Sequence, residues 1–223
     1  MAYWIKGVWN GMQLNMVKLP VKKGNLFLRV AKGHFATSHS HINYYIDVTT
    51  QKARLSEAKA VAQELVGAYR TNTIVDTVLC LDGTQVIGTC LANELTKDGF
   101  VNMNAHQTIY VVTPEYTSGS QILFRDNIIP MIAGKHVLIL AATITTGYTA
   151  QAAIAAVNYY GGIVAGLSAI YATVDHCEGY PIISIFDPKD LPDYASFDAH
   201  ECPYCKAGTK IDALVNSYGY SAL

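Results

Sequence analysis

The sequence predicts an α/β protein with a mostly parallel central sheet and helices on both faces. Three observations carry that expectation. From residue 55 to residue 186, apolar β-branched runs alternate with helical stretches. The segment from Val137 to Val174 holds no charged residue, yet Thr, Gln, Asn and a Gly pair interrupt it. It therefore reads as strand, helix and strand rather than as a membrane span of about 20 apolar residues. Finally, the apolar run VLIL leads through Ala141 and Ala142 into TITTGYTA and then an alanine-rich helix. Open parallel sheets bind ligands at such strand-to-helix turns.

The elements follow in order. The first fifty residues are short pieces punctuated by Trp, Lys and Gly, which suggests a small strand-rich flap. Residues 55–69 (LSEAKAVAQELVGAY) form a helix, with Leu55, Ala58, Ala62, Leu65 and Val66 on one face. Ser56 and Glu57 suit its start, where free amides and the dipole favour oxygen acceptors and negative charge. TIVDTVLCL reads as a strand, DGTQ as a turn and IGTCLANELTKDG as a second helix. Residues 107–113 form a strand cut by Pro114, and residues 135–140 another. Residues 149–160 are helical, and residues 163–173 and 181–186 are strands. The tail after Asp187 is irregular and ends in a short helix, KIDALVNSYG. One domain spans residues 1–223, with its core at 51–186 and a hood and tail at 1–50 and 187–223.

Composition narrows the function classes. With 223 residues, 51% of them hydrophobic and 15% charged, the chain can bury a sizeable core. A net charge of -1 gives no basic field for nucleic acid or an anionic membrane, and neither is expected as a partner. Five scattered cysteines are no disulfide framework, and MAYWIKGVWNGM lacks the apolar stretch of a signal peptide. A cytoplasmic protein is the expectation.

The turn TITTGYTA suits a phosphate monoester. Gly147 permits close backbone approach, while Thr145, Thr146 and Thr149 add hydroxyls around Tyr148. The helix that follows presents free amides to an anion.

This segment resembles the phosphoribosyl-diphosphate signature of type I phosphoribosyltransferases: four apolar residues, two acids, two variable positions, then Thr-Thr-Gly-x-Thr. Other segments are similar to the orotate branch. GHFATSHSHINYYID resembles its base-binding segment, VDTVLCLDGTQVIGTCLANEL sits at its diphosphate loop, and VDHCEG resembles a Val-Asp-Arg-x-Glu-Gly run. The similarity covers residues 33–179 in order. It implies a type I phosphoribosyltransferase-like fold, with a hood from the N- and C-terminal segments, and a homodimer. It implies base contacts from Tyr44, Tyr45 and His176, and diphosphate contacts from Asp82, Gly83 and Thr84. In such enzymes orotate displaces diphosphate from phosphoribosyl diphosphate, with magnesium assisting. Two acids hold the ribose hydroxyls, and a mobile loop of Lys, Arg and His neutralises the leaving group.

The charged parts of that pattern are missing. The acid pair is Ala141 and Ala142, so neither ribose-hydroxyl acceptor is present. The loop position reads TPEYTSGSQILF, with one acid, Glu115, and no base. Asp82 sits in the diphosphate loop, and the Arg of the last segment is His176. The expected function is therefore an orotate phosphoribosyltransferase-like protein of nucleotide metabolism. It would bind a sugar phosphate or nucleotide at residues 145–149, with transferase activity lost or strongly reduced. The alternative is an active transferase of orotate or a related base, and only that alternative calls for Mg2+.

HECPYCKAG carries Cys202 and Cys205 at zinc-ligand spacing with His200 close by, and His176 or Cys177 available in space. That is half of a four-ligand Zn2+ site. A redox pair is disfavoured, because the motif does not open a helix after a strand. His34, His39 and His41 align with the base-binding segment, and no Cys or carboxylate accompanies them at ligand spacing. Tyr44, Tyr45, Tyr159 and Tyr160 suit core and interface roles, and Cys80 and Cys90 read as buried.

Overall fold

The computed structural model describes residues 14–20, 26–99, 101–105, 107–118 and 121–223. The signal-peptide expectation concerns residues outside that set. Three antiparallel strands come first: β1 (Val17–Pro20), β2 (Phe27–Ala36) and β3 (His41–Asp47). The β2–β3 register shifts between Lys32 and Phe35. Gly33 lies in that shift, where a Cβ would stand 2.6 Å from the Asp212 carboxylate and 2.8 Å from the Phe35 ring. A Cβ here would displace the Asp212 carboxylate from the His34 amide, so glycine suits this close approach.

Two helices follow, α1 (Thr49–Ala53) and α2 (Leu55–Val66). Next are β4 (Thr77–Cys80), α3 (Gln85–Leu95), β5 (Tyr110–Val112) and the small hairpin β6 (Glu115–Tyr116) with β7 (Ile122–Leu123). Then come β8 (His136–Ile144), α4 (Tyr148–Tyr159) and β9 (Ile163–Ala172). The last core strands are β10 (His176–Cys177) and β11 (Tyr180–Phe186). The core sheet runs β10-β11-β9-β8-β4-β5, parallel throughout except for the β10–β11 hairpin.

Alternate residues of β8 serve two layers, as the two-residue period of a strand requires. Leu138, Leu140 and Ala142 join the cluster built with α2 and α3, including Val61, Leu65 and Leu91. Val137, Ile139 and Ala141 join the cluster built with α4, including Ala153 and Val157. Val137, Leu138, Ile139 and Leu140 are all fully buried. Each such side chain contributes roughly 1.5–3 kcal/mol relative to exposure, so this strand anchors both layers. The strand also continues beyond the expected end at Leu140. Pairing with β9 carries on through Ala141↔Ala169, Thr143↔Tyr171 and Ile144↔Ala172. Ala141 and Ala142 thus lie within the strand.

The tail corrects one expectation. After β12 (Ser196–Phe197) and the one-turn α5 (Pro203–Lys206), the predicted terminal helix is a hairpin, β13 (Ala213–Asn216) with β14 (Gly219–Ala222). Ala213 and Val215 are buried while Leu214 and Asn216 are exposed, a strand period. Pairing of Ala213 and Leu214 with Phe35 and Ala36 decides it, a long-range contact that local propensity does not report. The hood sheet runs β12-β3-β2-β13-β14, with β1 also on β2. Its own core holds Phe35, Ile42, Tyr45, Ala213 and Val215.

Candidate ligand-binding site

The turn after β8 is built to leave donors free. Gly147 is the N-cap of α4 with φ +82, a left-handed conformation that glycine adopts without penalty. No side chain caps this helix, and its first main-chain bond is Gln151 N–H to Gly147 O at 2.8 Å. The amides of Tyr148, Thr149 and Ala150 therefore have no carbonyl of the helix to bond and carry the positive end of its dipole. Thr146 and Thr149 are exposed beside them, and Thr145 is half-buried.

The turn is braced from outside. Thr173 Oγ1 donates to Thr145 O at 2.6 Å and its amide donates to Ile144 O at 3.0 Å. Gln151 reaches Glu178 at 3.0 Å.

The loop after β4 faces this turn. Asp82 and Gly83 are both left-handed, at φ 54 and 77. Thr84, fully buried, holds the loop closed: its hydroxyl lies 2.7 Å from Leu81 O and 3.0 Å from Leu140 O. Asp82 Oδ2 accepts weakly from the Ala142 amide at 3.4 Å. Burial pushes the Asp82 carboxyl above the usual range, against that amide and the nearby Lys52. Lys52 is pulled below its usual range by burial, and its ammonium donates to Asp82 O at 2.9 Å and to Ser217 O.

Core and hood enclose a cleft of about 810 Å³. Its lining includes residues 145–149, Ala141, Ala142, Asp82 and Lys52 from the core side. Tyr44, Tyr45, His39 and residues 215–218 come from the hood, and Tyr116 from the β6–β7 hairpin. Burial, with Asp82 and Tyr218 adding to it, pushes the Tyr116 phenol up to about 12, so it stays a neutral hydrogen-bond donor. Tyr194 also lines the cleft, its phenol likewise raised to about 12 by burial, opposed by the Thr145 hydroxyl. His39 packs against Tyr148 with ring centroids 5.9 Å apart, so the hood touches the first turn of α4.

Among the described lining residues, Lys52 is the sole lysine or arginine and Asp82 the sole carboxylate. Lys52 and Tyr116 escaped sequence reasoning because nothing in their local motifs marks them. Tyr44 is half-buried in the cleft, whereas Tyr45 is almost wholly buried and packs on Phe35 and Tyr220. His176 stands apart from the cleft lining, exposed and 3.2 Å from Asp175. Arg125, just beyond the expected loop, is bound to Glu115 at 2.7 and 2.9 Å. Cys80 and Cys90 are buried, and burial drives the Cys80 thiol up to about 12.

The tail motif sits elsewhere, on the hood. His34, His41, Cys202 and Cys205 bring one donor atom each to within 4.8 Å of one another. This corrects the expectation that the histidines lack a cysteine partner. The fold supplies across more than 160 residues what sequence spacing did not. His200, the sequence's candidate third ligand, is exposed and outside the group, and so are His176 and Cys177.

No family model matches the sequence, and no curated protein does. Solved structures do match. The UMP synthase of Leishmania donovani superposes with a TM-score of 0.53 at 17% identity, covering 81% of this chain and 36% of that one. The orotate phosphoribosyltransferase of Mycobacterium tuberculosis H37Rv superposes with a TM-score of 0.51 at 19% identity, covering 74% and 92%.

The chain has the type I phosphoribosyltransferase fold. On that fold, residues 137–149 form β8 and the turn into α4. No described helix is long and apolar enough to cross a membrane.

Proposed function

We propose that the cleft binds a ribose phosphate or nucleotide, its phosphate on residues 145–149, and that phosphoribosyl transfer is lost or strongly reduced. One observation carries this reading. The end of β8 that lines the cleft carries Ala141 and Ala142, which are 2% and 3% exposed and packed on opposite faces of the strand into the two core clusters. Methyl groups accept no hydrogen bond from ribose hydroxyls. Stabilising an oxocarbenium-like transition state and a departing diphosphate rests on positioned charge. The cleft offers one ammonium, already donating to two carbonyls, and one carboxyl that burial disfavours as an anion. The turn, by contrast, keeps its free amides and the exposed hydroxyls of Thr146 and Thr149.

Substrate-borne magnesium is usually held through one or two carboxylates. Asp82, with its raised pKa and its contact to the Ala142 amide, does not fit that role, so Mg2+ belongs only to the active-enzyme alternative. We place the protein in nucleotide metabolism, in the cytoplasm and as a homodimer.

The test is a turnover assay with orotate, phosphoribosyl diphosphate and Mg2+, run beside calorimetry with ribose 5-phosphate. Binding without turnover supports the proposal. Steady orotidylate formation at the rate of an ordinary transferase sinks the non-catalytic reading and restores the alternative.

A further inference from the structure

We propose that His34, His41, Cys202 and Cys205 form a structural zinc site that fastens the C-terminal tail to the hood. His34 Nε2 lies 3.1 Å from His41 Nδ1, 3.5 Å from Cys202 Sγ and 3.7 Å from Cys205 Sγ. Cys205 Sγ lies 3.2 Å from His41 Nδ1. Tetrahedral zinc with its usual bond lengths separates nitrogen from sulfur by about 3.6 Å and nitrogen from nitrogen by about 3.3 Å. Four of the six donor separations are thus within about 0.4 Å of such a tetrahedron, and all six fall within 4.8 Å.

The hydrogen bonding around His34 points the same way. Its Nδ1 lies 3.1 Å from Thr209 O and 3.2 Å from Lys210 O. Two carbonyl oxygens accept only from a protonated Nδ1, which leaves the lone pair of the neutral ring on Nε2. That lone pair faces the other three donors. A zinc-bound histidine characteristically donates its second ring N–H to a carbonyl in this way. His34 and Cys202 are buried, His41 is half-buried and Cys205 is exposed, so an ion has an entry path from the rim. No carboxylate belongs to the group, and two sulfurs with two imidazoles in a tetrahedron select zinc over magnesium or calcium.

The local chain is shaped for this. Cys202 is the N-cap of α5 and Cys205 lies within it, with Lys206 N–H bonding Cys202 O at 3.1 Å and Gly208 N–H bonding Cys205 O at 3.0 Å. The histidines are brought together by the β2–β3 pairing, Ala36 opposite His41. The consequence reaches the cleft. Beyond α5, Asp212 accepts from the His34 amide at 2.8 Å, and β13 then pairs with β2 and leads to cleft residues 215–218. Zinc would fix the position of that wall.

The test measures metal in the full chain, purified under reducing conditions from zinc-supplemented cells. About one zinc per chain is expected from a four-ligand site. Cys205→Ser and His41→Ala should each lower bound zinc at least about tenfold, because three ligands no longer close a structural site, and His200→Ala should leave it unchanged. Should those variants fail to fold, wild-type protein stripped by chelator and titrated with Co2+ still decides: tetrahedral cobalt bands with thiolate charge transfer are expected. Folded, reduced wild-type protein that holds no stoichiometric zinc and gives no tetrahedral cobalt spectrum overturns the proposal. Full zinc content in Cys202→Ser/Cys205→Ser protein also overturns it.

Discussion

The Lys52 ammonium donates to the Asp82 carbonyl at 2.9 Å and, with its bond to Ser217, joins α1, the loop after β4 and the C-terminal hairpin at the cleft. The two side chains line the same cleft as residues 145–149, and burial disfavours the charge of both. Charge at the cleft is thus held in tension by the fold itself.

Asp82→Asn tests this directly. Burial, outweighing the Ala142 amide and Lys52, raises the folded pKa above the unfolded value of about 3.9. The associated stability is full below that value and is lost as pH rises through the folded pKa. At pH 7 the variant should therefore melt at a higher temperature than wild type, with the gap closing on acidification. It should also bind inorganic phosphate more tightly, because a like charge is gone. A lower Tm at pH 7 would contradict the assignment.

Thr146→Ala removes an exposed hydroxyl from the phosphate turn without touching the core. A hydrogen bond to a charged group is worth about 1.5–3 kcal/mol, so affinity for ribose 5-phosphate should fall roughly 10- to 100-fold. Calorimetry on both proteins reads this, and equal affinities would remove the turn from the site.

Introducing an acid as Ala142→Asp should not by itself create an enzyme. Position 142 is 3% exposed and packed with the α2–α3 layer. An unpaired carboxylate there prefers its neutral form, with a raised pKa. We expect a loss of about 1–3 kcal/mol at pH 8 that shrinks towards pH 4, read by urea unfolding. A pH-independent effect would show that the side chain escapes to solvent.

Arg29 and Glu57 tie the hood to the core through paired contacts of 3.2 Å, with Thr50 donating to Glu57 at 2.7 Å. Burial works against the Glu57 charge, but the bonds from Arg29 and Thr50 outweigh it and hold the pKa below the usual range. Stability from this group is present above the unfolded pKa of about 4.3 and is lost as pH falls through the folded value. Glu57→Gln should cost about 1–2 kcal/mol at pH 7 and flatten the acid limb of the stability profile. An unchanged midpoint in urea at pH 7 would show that the pair contributes nothing.

The core was legible in the sequence because its elements obey local periods. The helix at residues 55–66 buries its expected Ala58, Ala62, Leu65 and Val66, though Leu55 at its first turn is exposed, and β8 is apolar on both faces because both are covered. The turn at residues 145–149 was legible for a related reason: a glycine needing positive φ, flanked by threonines at a helix start, encodes its own geometry. Where local period and tertiary pairing disagreed, pairing prevailed, as in the tail, where β2 turned an expected helix into a hairpin.

By itself, then, the sequence determined the α/β architecture, the Thr- and Gly-rich strand-to-helix turn and the alanines at 141 and 142. Those properties depend on neighbours a few residues apart. Tertiary structure alone decided that Ala141 and Ala142 sit inside a fully paired strand, that Lys52 and Asp82 share one cleft, and that two histidines of the hood meet two cysteines of the tail. Each of these joins segments far apart in the chain. Sheet pairing and burial fix such contacts, and no local pattern carries them.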